Sequence, residues 1–266
     1  MPEWIGRAVA TYSARIAAIS RIPVLRGCVR KLGRLIVPRQ SLVWVQVQAG
    51  VGRGLWLNLN PRTAEAFVRG EGEPSVQAFI AQHLKPGMVF YDLGTNLGFF
   101  SLVAARQIGP SGHVYGFEPD PEIAQRVRSN LSRNGFENFT VTEAAVWCET
   151  GKVSFSRSDA SASPDRGTGQ IANTPGQERT ISVPAIALDD FLKTARPPNL
   201  IKCDVEGAEI EALRGAVSVL AGYHPDIVCE IHSPENGITV RDLLLRLDYQ
   251  VFQLDANHIG AEFRRT

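Results

Sequence analysis

The sequence predicts an α/β fold: a mostly parallel sheet with helices on both faces, preceded by a helical and hairpin extension. Three observations carry this. From Met88 to Val146, strand-like apolar runs alternate with amphipathic stretches of helical period, the rhythm of successive βα units. The rhythm resumes from Asn199 to Asp255. Between the first strand and its helix, "YDLGTNLGFF" (Tyr91–Phe100) holds an acid and two glycines. Glycine there permits a tight turn and a close approach of a ligand to the backbone.

The elements follow in order. Residues 1–40 read as a basic amphipathic helical extension, with Ile5, Val9, Tyr12, Ile16 and Ile19 at spacings of three and four and Pro23 dividing it into two helices. Up to Arg39 this segment has eight basic residues against Glu3 alone, so it carries +7 and the remainder about −6. Such a segment suits peripheral contact with an anionic membrane surface. A helix docked on the core with a solvated basic face is the competing reading.

Residues 41–266 read as one domain. A hairpin over 41–60 alternates Leu42, Trp44 and Val45–Val47 with polar residues and turns at Gly50–Gly54. The cofactor-binding core spans 75–266. A helix from about Pro74 to Leu84 leads into strand "MVFYDLG", helix "LGFFSLVAARQIG", strand "HVYGFEPD", helix "PEIAQRVRSNLSRNG" and strand "FTVTEAAV". Pro121 suits the first turn of the second of these helices and Gly135 lies past its end. "KVSFSRS" and "TISVPAIALDDFL" pair as strands around a Ser-, Gly- and Pro-rich insert, 158–178. An insert of this length reads as a mobile flap, with a plain surface loop as the alternative. Strand "NLIKCDV" with its helix, strand "PDIVCEIHS", helix "TVRDLLLRLDYQ" and a last strand "YQVFQLD" complete the chain.

Composition narrows the function. Of the 266 residues, 44% are hydrophobic and 21% charged, as in a packed globular protein. A net charge of +1 gives no reason to expect nucleic acid as the main partner. Cys28, Cys148, Cys203 and Cys229 form no C-x-x-C pair. Buried free thiols in a reducing, cytoplasmic setting are expected. No apolar run is long enough to span a membrane.

The chemistry concentrates at the strand ends, where open α/β sheets bind ligands. Asp92 precedes a turn with only Gly94 and Gly98, in D-L-G-T-N-L-G rather than G-x-G-x-x-G. A carboxylate there repels a pyrophosphate and attracts an ammonium group, so the ligand reads as an amino acid joined to a nucleoside. Glu118 ends the second strand and is placed to accept from both ribose hydroxyls. The fourth strand ends in "KCDVEGAE", bringing Lys202, Asp204, Glu206 and Glu209 close together. Asp204 is favoured over Glu206 for chemistry, since Glu206 also suits a helix N-terminus. Glu209 is expected to face solvent. On the fifth strand, Glu230 and His232 have the period-2 spacing of one face. His232 is a natural general base near neutral pH, or a histidine that merely satisfies a loop.

These segments resemble S-adenosylmethionine-dependent methyltransferases of the Rossmann-like class, and within it the FkbM family. The resemblance rests on "VFYDLGTNLGFFSL", "VYGFEPD", "FVRGEGEPSVQAFI", "AAVWCETGKVSF" and above all "LIKCDVEGAEIEALRGA". It covers about Ala66 to Asp255 and implies a Rossmann-like methyltransferase sheet. It also implies that Gly94, Asn96 and Gly98 shape the turn around the methionine part of S-adenosyl-L-methionine, that Asp92 binds its amino group, and that Glu118 holds the ribose. Glu143 and Ala144 then lie where adenine is contacted, with a surface Glu143 as the alternative. Trp147 stacks on the base or, more commonly for tryptophan, enters the core.

The implied reaction is O-methylation of a hydroxyl on a sugar, glycolipid or polyketide-type metabolite. Methyl transfer is an in-line displacement, and Asp204, His232 or Glu206 assists by taking the hydroxyl proton. A divalent cation held by Asp204, Glu206 and Glu230 is a second route that no ligand spacing supports. Three rivals remain. A nicotinamide oxidoreductase predicts a third glycine in the turn. A nucleic-acid or protein methyltransferase is the nearer rival; amino-group methylation of bases commonly uses Asn/Asp-Pro-Pro-aromatic at the fourth strand, where this chain has "DVEG". A non-catalytic cofactor-binding module anchored at a membrane predicts that Asp204 and His232 are dispensable.

Overall fold

The computed structural model of the protein describes residues 41–157, 169–171 and 179–264. The expected basic helix over 1–40 and most of the insert 158–178 lie outside the described residues. The chain divides into two compact units, with the boundary between Gly72 and Glu73.

In the first unit, β1 (Val43–Gln46) pairs antiparallel with β2 (Trp56–Leu59). The expected hairpin forms, but with a different inward face. Val43 lies opposite Leu59 and Val45 opposite Leu57, and all four are buried, whereas Trp44 is half-buried. A strand apolar on both faces does not set its own phase; the partner strand's leucines do. A short helix, α1 (Glu65–Arg69), follows.

The second unit begins with α2 (Pro74–His83), β3 (Val89–Leu93), α3 (Phe99–Ile108), β4 (His113–Phe117), α4 (Pro121–Arg133) and β5 (Phe139–Thr142). Pro121 occupies the first turn of α4, and the Asp120 carboxylate caps it from Glu122 N–H and Ile123 N–H. The expected third strand is split. β5 stops at Thr142, and β6 (Ala145–Val146) joins a separate sheet with β7 (Gly151–Ser156), β8 (Gln170–Ile171) and β9 (Thr180–Ile186), in the order β6-β9-β7-β8. After these come α5 (Leu188–Phe191), β10 (Leu200–Cys203), α6 (Glu209–Arg214), α7 (Val217–Tyr223), β11 (Asp226–Glu230), α8 (Pro234–Arg246), β12 (Tyr249–Gln253) and β13 (His258–Phe263).

The central sheet has the order β12-β13-β11-β10-β3-β4-β5. Every pairing from β11 to β5 is parallel, and β13 runs antiparallel between β11 and β12. β12 is therefore not the last strand. β13 follows it, and its "HIGAEF" lacks the β-branched and aromatic run that marks a strand in sequence. The chain winds outward from β3 in both directions, so the switch point of the topology lies between β3 and β10.

Strand alternation sorts the two faces. Tyr91, Leu93, Ile201, Cys203, Ile227 and Cys229 pack in one cluster with Leu213, Leu220 and Leu244 of α6, α7 and α8. The intervening residues point the other way, where α2 and α3 lie. Those residues include Phe90, Asp92, Leu200 and Lys202, all buried. Cys203 and Cys229 are buried free thiols, as expected, and Cys148 is free. No described helix is long and apolar enough to cross a membrane.

Candidate functional site

The site forms where β3, β4, β10 and β11 end. Leu93 leads into Gly94 at φ 77°, Asn96 at φ 47° and Gly98 at φ 74°. A Cβ on Gly94 would stand 1.8 Å from the Asp204 carbonyl oxygen. The loops after β3 and β10 therefore touch at a point that only glycine allows.

Glu118, buried at the end of β4, closes the turn from its other side. Its carboxylate accepts from Asn96 N–H at 3.1 Å and Asp120 N–H at 3.0 Å. Burial pushes its pKa up to about 8, against the pull of those two bonds. Each oxygen keeps a further lone pair for a ligand hydroxyl. Asp120 is itself clamped by Arg157, whose Nε and Nη2 lie 2.7 and 3.0 Å from its two oxygens.

Asp92 is fully buried. Ser101 Oγ donates to its Oδ2 at 2.5 Å, while Oδ1 has no hydrogen bond and lies 3.9 Å from Lys202 Nζ. Burial raises Asp92 to about 6, although Lys202 and Ser101 pull it down. Lys202 sits directly opposite Asp92 in the β3–β10 register. Its Nζ donates to Asp204 Oδ2 at 2.9 Å and lies 5.2 Å from the centre of the Phe100 ring. Burial disfavours the Lys202 charge, but Asp204 and Asp92 outweigh it and raise the ammonium pKa. Burial likewise opposes ionisation of Asp204, yet Lys202 holds its carboxyl below the usual range.

At the far side, His232 Nε2 lies 3.3 Å from Glu206 Oε2 and 3.9 Å from Asp204 Oδ1, and Nδ1 lies 2.8 Å from Glu209 Oε1. Bonds to Glu206 and Glu209 raise the imidazole to about 11. In this arrangement it is protonated at neutral pH, the opposite of the free base that the strand-end position suggests. Glu209 does not face solvent. It is fully buried, accepts from Gly207 N–H at 2.8 Å and contacts Asn236 Nδ2. The first turn of α6 abuts that of α8, so this side chain is enclosed despite its place at a helix start.

Glu230 and His232 do not share a cluster. β11 ends at Glu230, so strand alternation stops before it reaches His232. Glu230 instead faces Asp204, and burial with the Asp204 charge lifts it to about 7. The cation ligands Asp204, Glu206 and Glu230 are thus not brought together as one set. Two other groups are: Asp204, Glu206 and His232, and Glu73, Glu230 and His258.

Beyond β5, Glu143 pairs with Arg128 at 2.5 Å and is largely exposed, and Ala144 is buried. Trp147 is half-buried, not a core residue. Arg157, the pairing of Lys202 with Asp92 and the group around His258 carry little signal in the sequence. The "DANH" run, with an acid three residues before a histidine, was the one local signal for that group.

Residues 92–251, more than half of the chain, match the family model described as the methyltransferase FkbM domain. The chain is 25% identical over 174 residues to the hexuronic acid methyltransferase AglP of Haloferax volcanii, covering 65% of this chain and 66% of AglP. It is 28% identical over 185 residues to the 2-O-methyltransferase NoeI of Sinorhizobium fredii, covering 63% of this chain and 74% of NoeI. The crystal structure of methyltransferase FkbM from Methylobacillus flagellatus superposes with a TM-score of 0.50 at 17% identity, over 75% of this chain and 52% of that one. That likeness speaks for the fold. The chain thus spans just under two thirds of AglP and about half of that solved protein. The glycine turn, the strand-end acids and the family match agree: the chain belongs to the FkbM family of S-adenosylmethionine-dependent methyltransferases.

Proposed function

We propose that the chain methylates a hydroxyl of a sugar, with a glycolipid as its natural acceptor. The observation that carries this reading is the buried Glu118 held by Asn96 N–H and Asp120 N–H beside the Gly94 turn, a receptor for a nucleoside diol. AglP's name gives a sugar acid as acceptor and NoeI's gives transfer to an oxygen, and the two taken together favour a sugar oxygen as acceptor.

Bound S-adenosylmethionine supplies a methyl group activated by its sulfonium. This chain's residues do the rest. Glu118 accepts from the ribose hydroxyls. Asp92, with its unbonded Oδ1, draws the amino group toward β3. Asp204, ionised beside Lys202, takes the proton of the acceptor hydroxyl. His232, as imidazolium between Glu206 and Glu209, fixes the loop that carries Asp204. An alcohol is a poor nucleophile until its proton is removed as attack proceeds.

The test is transfer of tritiated methyl to uronic acid glycosides and neutral glycosides, in short-chain and lipid-anchored forms. Base-stable label on the sugar is expected, with the lipid-anchored acceptor faster. Base-labile label would mean a methyl ester and overturn the hydroxyl. Equal rates, with no loss on removing residues 1–39, would overturn the glycolipid.

A further inference from the structure

We propose that Glu73, Glu230 and His258 bind one divalent cation of the Mn2+ or Zn2+ type.

The site is built from Asp255 upward. Asp255 Oδ1 accepts from Asn257 N–H at 2.9 Å and His258 N–H at 3.0 Å, an Asx turn that positions the histidine. The two Asp255 oxygens then lie 2.8 and 3.0 Å from His258 Nδ1, and Ser75 Oγ donates to Oδ2. Nδ1 therefore carries the proton in the neutral ring, and the Nε2 lone pair points away from Asp255. A carboxylate behind the ring is the support that metal-binding histidines commonly have.

Nε2 is directed into an acidic group. His258 is only 6% exposed, and its Nε2 makes no hydrogen bond of ordinary geometry. It lies 3.5 Å from Glu73 Oε2 and 3.8 Å from Glu230 Oε2. Glu73 Oε2 is also buried without a hydrogen bond. All three ligand atoms lie within 4.8 Å of one another. These separations exceed ordinary hydrogen bonds of about 2.7–3.2 Å. They fit donors sharing one ion, since bonds of about 2.0–2.2 Å in a tetrahedral site place ligands about 3.3–3.6 Å apart. One imidazole with two carboxylates suits a borderline divalent ion.

Glu73 adds a backbone argument. It is a non-glycine residue at φ 47°, and although it stands at the N-cap of α2 its side chain makes no cap. Strain of this kind persists where the surroundings demand it, and here the carboxylate turns toward His258. The Asp204–Glu206–His232 group differs: its histidine is 25% exposed against 7% for His258, and none of its atoms is left buried and unbonded.

Because Glu230 also faces Asp204, a cation held by Glu230 would lie near the proposed general base and would ease removal of the acceptor's proton. That role rests on the O-methylation reading; the binding does not.

The test is titration of Mn2+ alone into the full chain, read by electron paramagnetic resonance. One saturable equivalent is expected, competed by Zn2+, with nitrogen coupling from one imidazole. His258→Asn should abolish the coupling, and His258→Asn and Glu73→Gln should each weaken binding at least tenfold. Glu206→Gln should leave the affinity within twofold. Should His258→Asn fail to fold, Glu73→Gln decides. No saturable binding by folded wild type up to about 1 mM Mn2+ overturns the site. So does binding that Glu206→Gln abolishes and Glu73→Gln spares. S-adenosylhomocysteine binding is measured on the same samples: its presence without Mn2+ binding sinks the cation alone, and its absence with Mn2+ binding sinks the methyl-transfer reading alone.

Discussion

Asp92 and Lys202 stand directly opposite each other on neighbouring parallel strands, both buried, with their charged atoms 3.9 Å apart. Lys202 also donates to Asp204, so one ammonium serves two carboxylates. Removing it strips both buried carboxylates of their shared cation, leaving Asp204 only the His232 imidazolium 3.9 Å away. Lys202→Met should therefore lose about 3–5 kcal/mol of stability, measured by urea denaturation. Adding Asp92→Asn to that variant should recover part of the loss, because one stranded charge is gone. A double variant no more stable than Lys202→Met would show that the pair is not coupled.

Glu118 should dominate cofactor affinity. Glu118→Ala removes the acceptor proposed for the ribose and frees Asn96 N–H and Asp120 N–H. A hydrogen bond to a charged group contributes about 1.5–3 kcal/mol, so loss of even one should weaken S-adenosylhomocysteine affinity, measured by calorimetry, at least about tenfold.

Stability should fall as pH rises through the neutral range. Burial raises Glu118 to about 8 and Asp92 to about 6, both above ordinary carboxylate values. The folded state then holds more protons than the unfolded one between about pH 4.5 and 8. The stability these groups contribute is complete below their unfolded pKa values and is lost as pH passes the folded ones. Melting temperature measured from pH 5 to 8.5 should decline in the wild type and decline less in Glu118→Gln. An equal slope in both would remove Glu118 as the cause.

Gly94→Ala should destabilise the protein and weaken S-adenosylhomocysteine binding together. The added Cβ meets the Asp204 carbonyl at 1.8 Å and the residue sits at φ 77°. The β3 and β10 loops must then separate. A melting temperature within 1–2 °C of wild type, on the scale where about 1 kcal/mol shifts it by about 2–4 °C, would contradict the contact.

The strand ends were legible because each βα unit announces itself by period, and parallel strands must present their carboxyl ends on one edge of the sheet. Asp92, Glu118 and Asp204 could be placed at that edge before any contact was known. Register could not. Nothing local to Lys202 says that it lies opposite Asp92, and nothing near Glu73 says that it meets His258 at the other end of the chain. β13 is hard to read because Gly260 and Ala261 interrupt its apolar run, and the burial of Glu209 is decided by helix–helix contact rather than by its place at a helix start.

The state of His232 tests the loop after β10 most directly. Glu206 and Glu209 raise its pKa to about 11, so nitrogen-15 NMR should show an imidazolium at pH 8. Glu209→Gln keeps the hydrogen-bonding shape and removes one charge, and it should bring the His232 pKa down toward its ordinary value. The linkage has a definite sign. A histidine raised in the folded state contributes stability that is complete below its unfolded pKa near 6.5 and fades as pH climbs toward 11. The stability lost in Glu209→Gln should therefore be largest at acid pH and shrink on the alkaline side. For catalysis, Asp204→Asn should lower kcat at least about 100-fold at nearly unchanged S-adenosylhomocysteine affinity, whereas Glu209→Gln should alter the pH profile of kcat more than its maximum. A neutral His232 at pH 8 in the wild type would return it to the role of general base and leave Asp204 to position the acceptor.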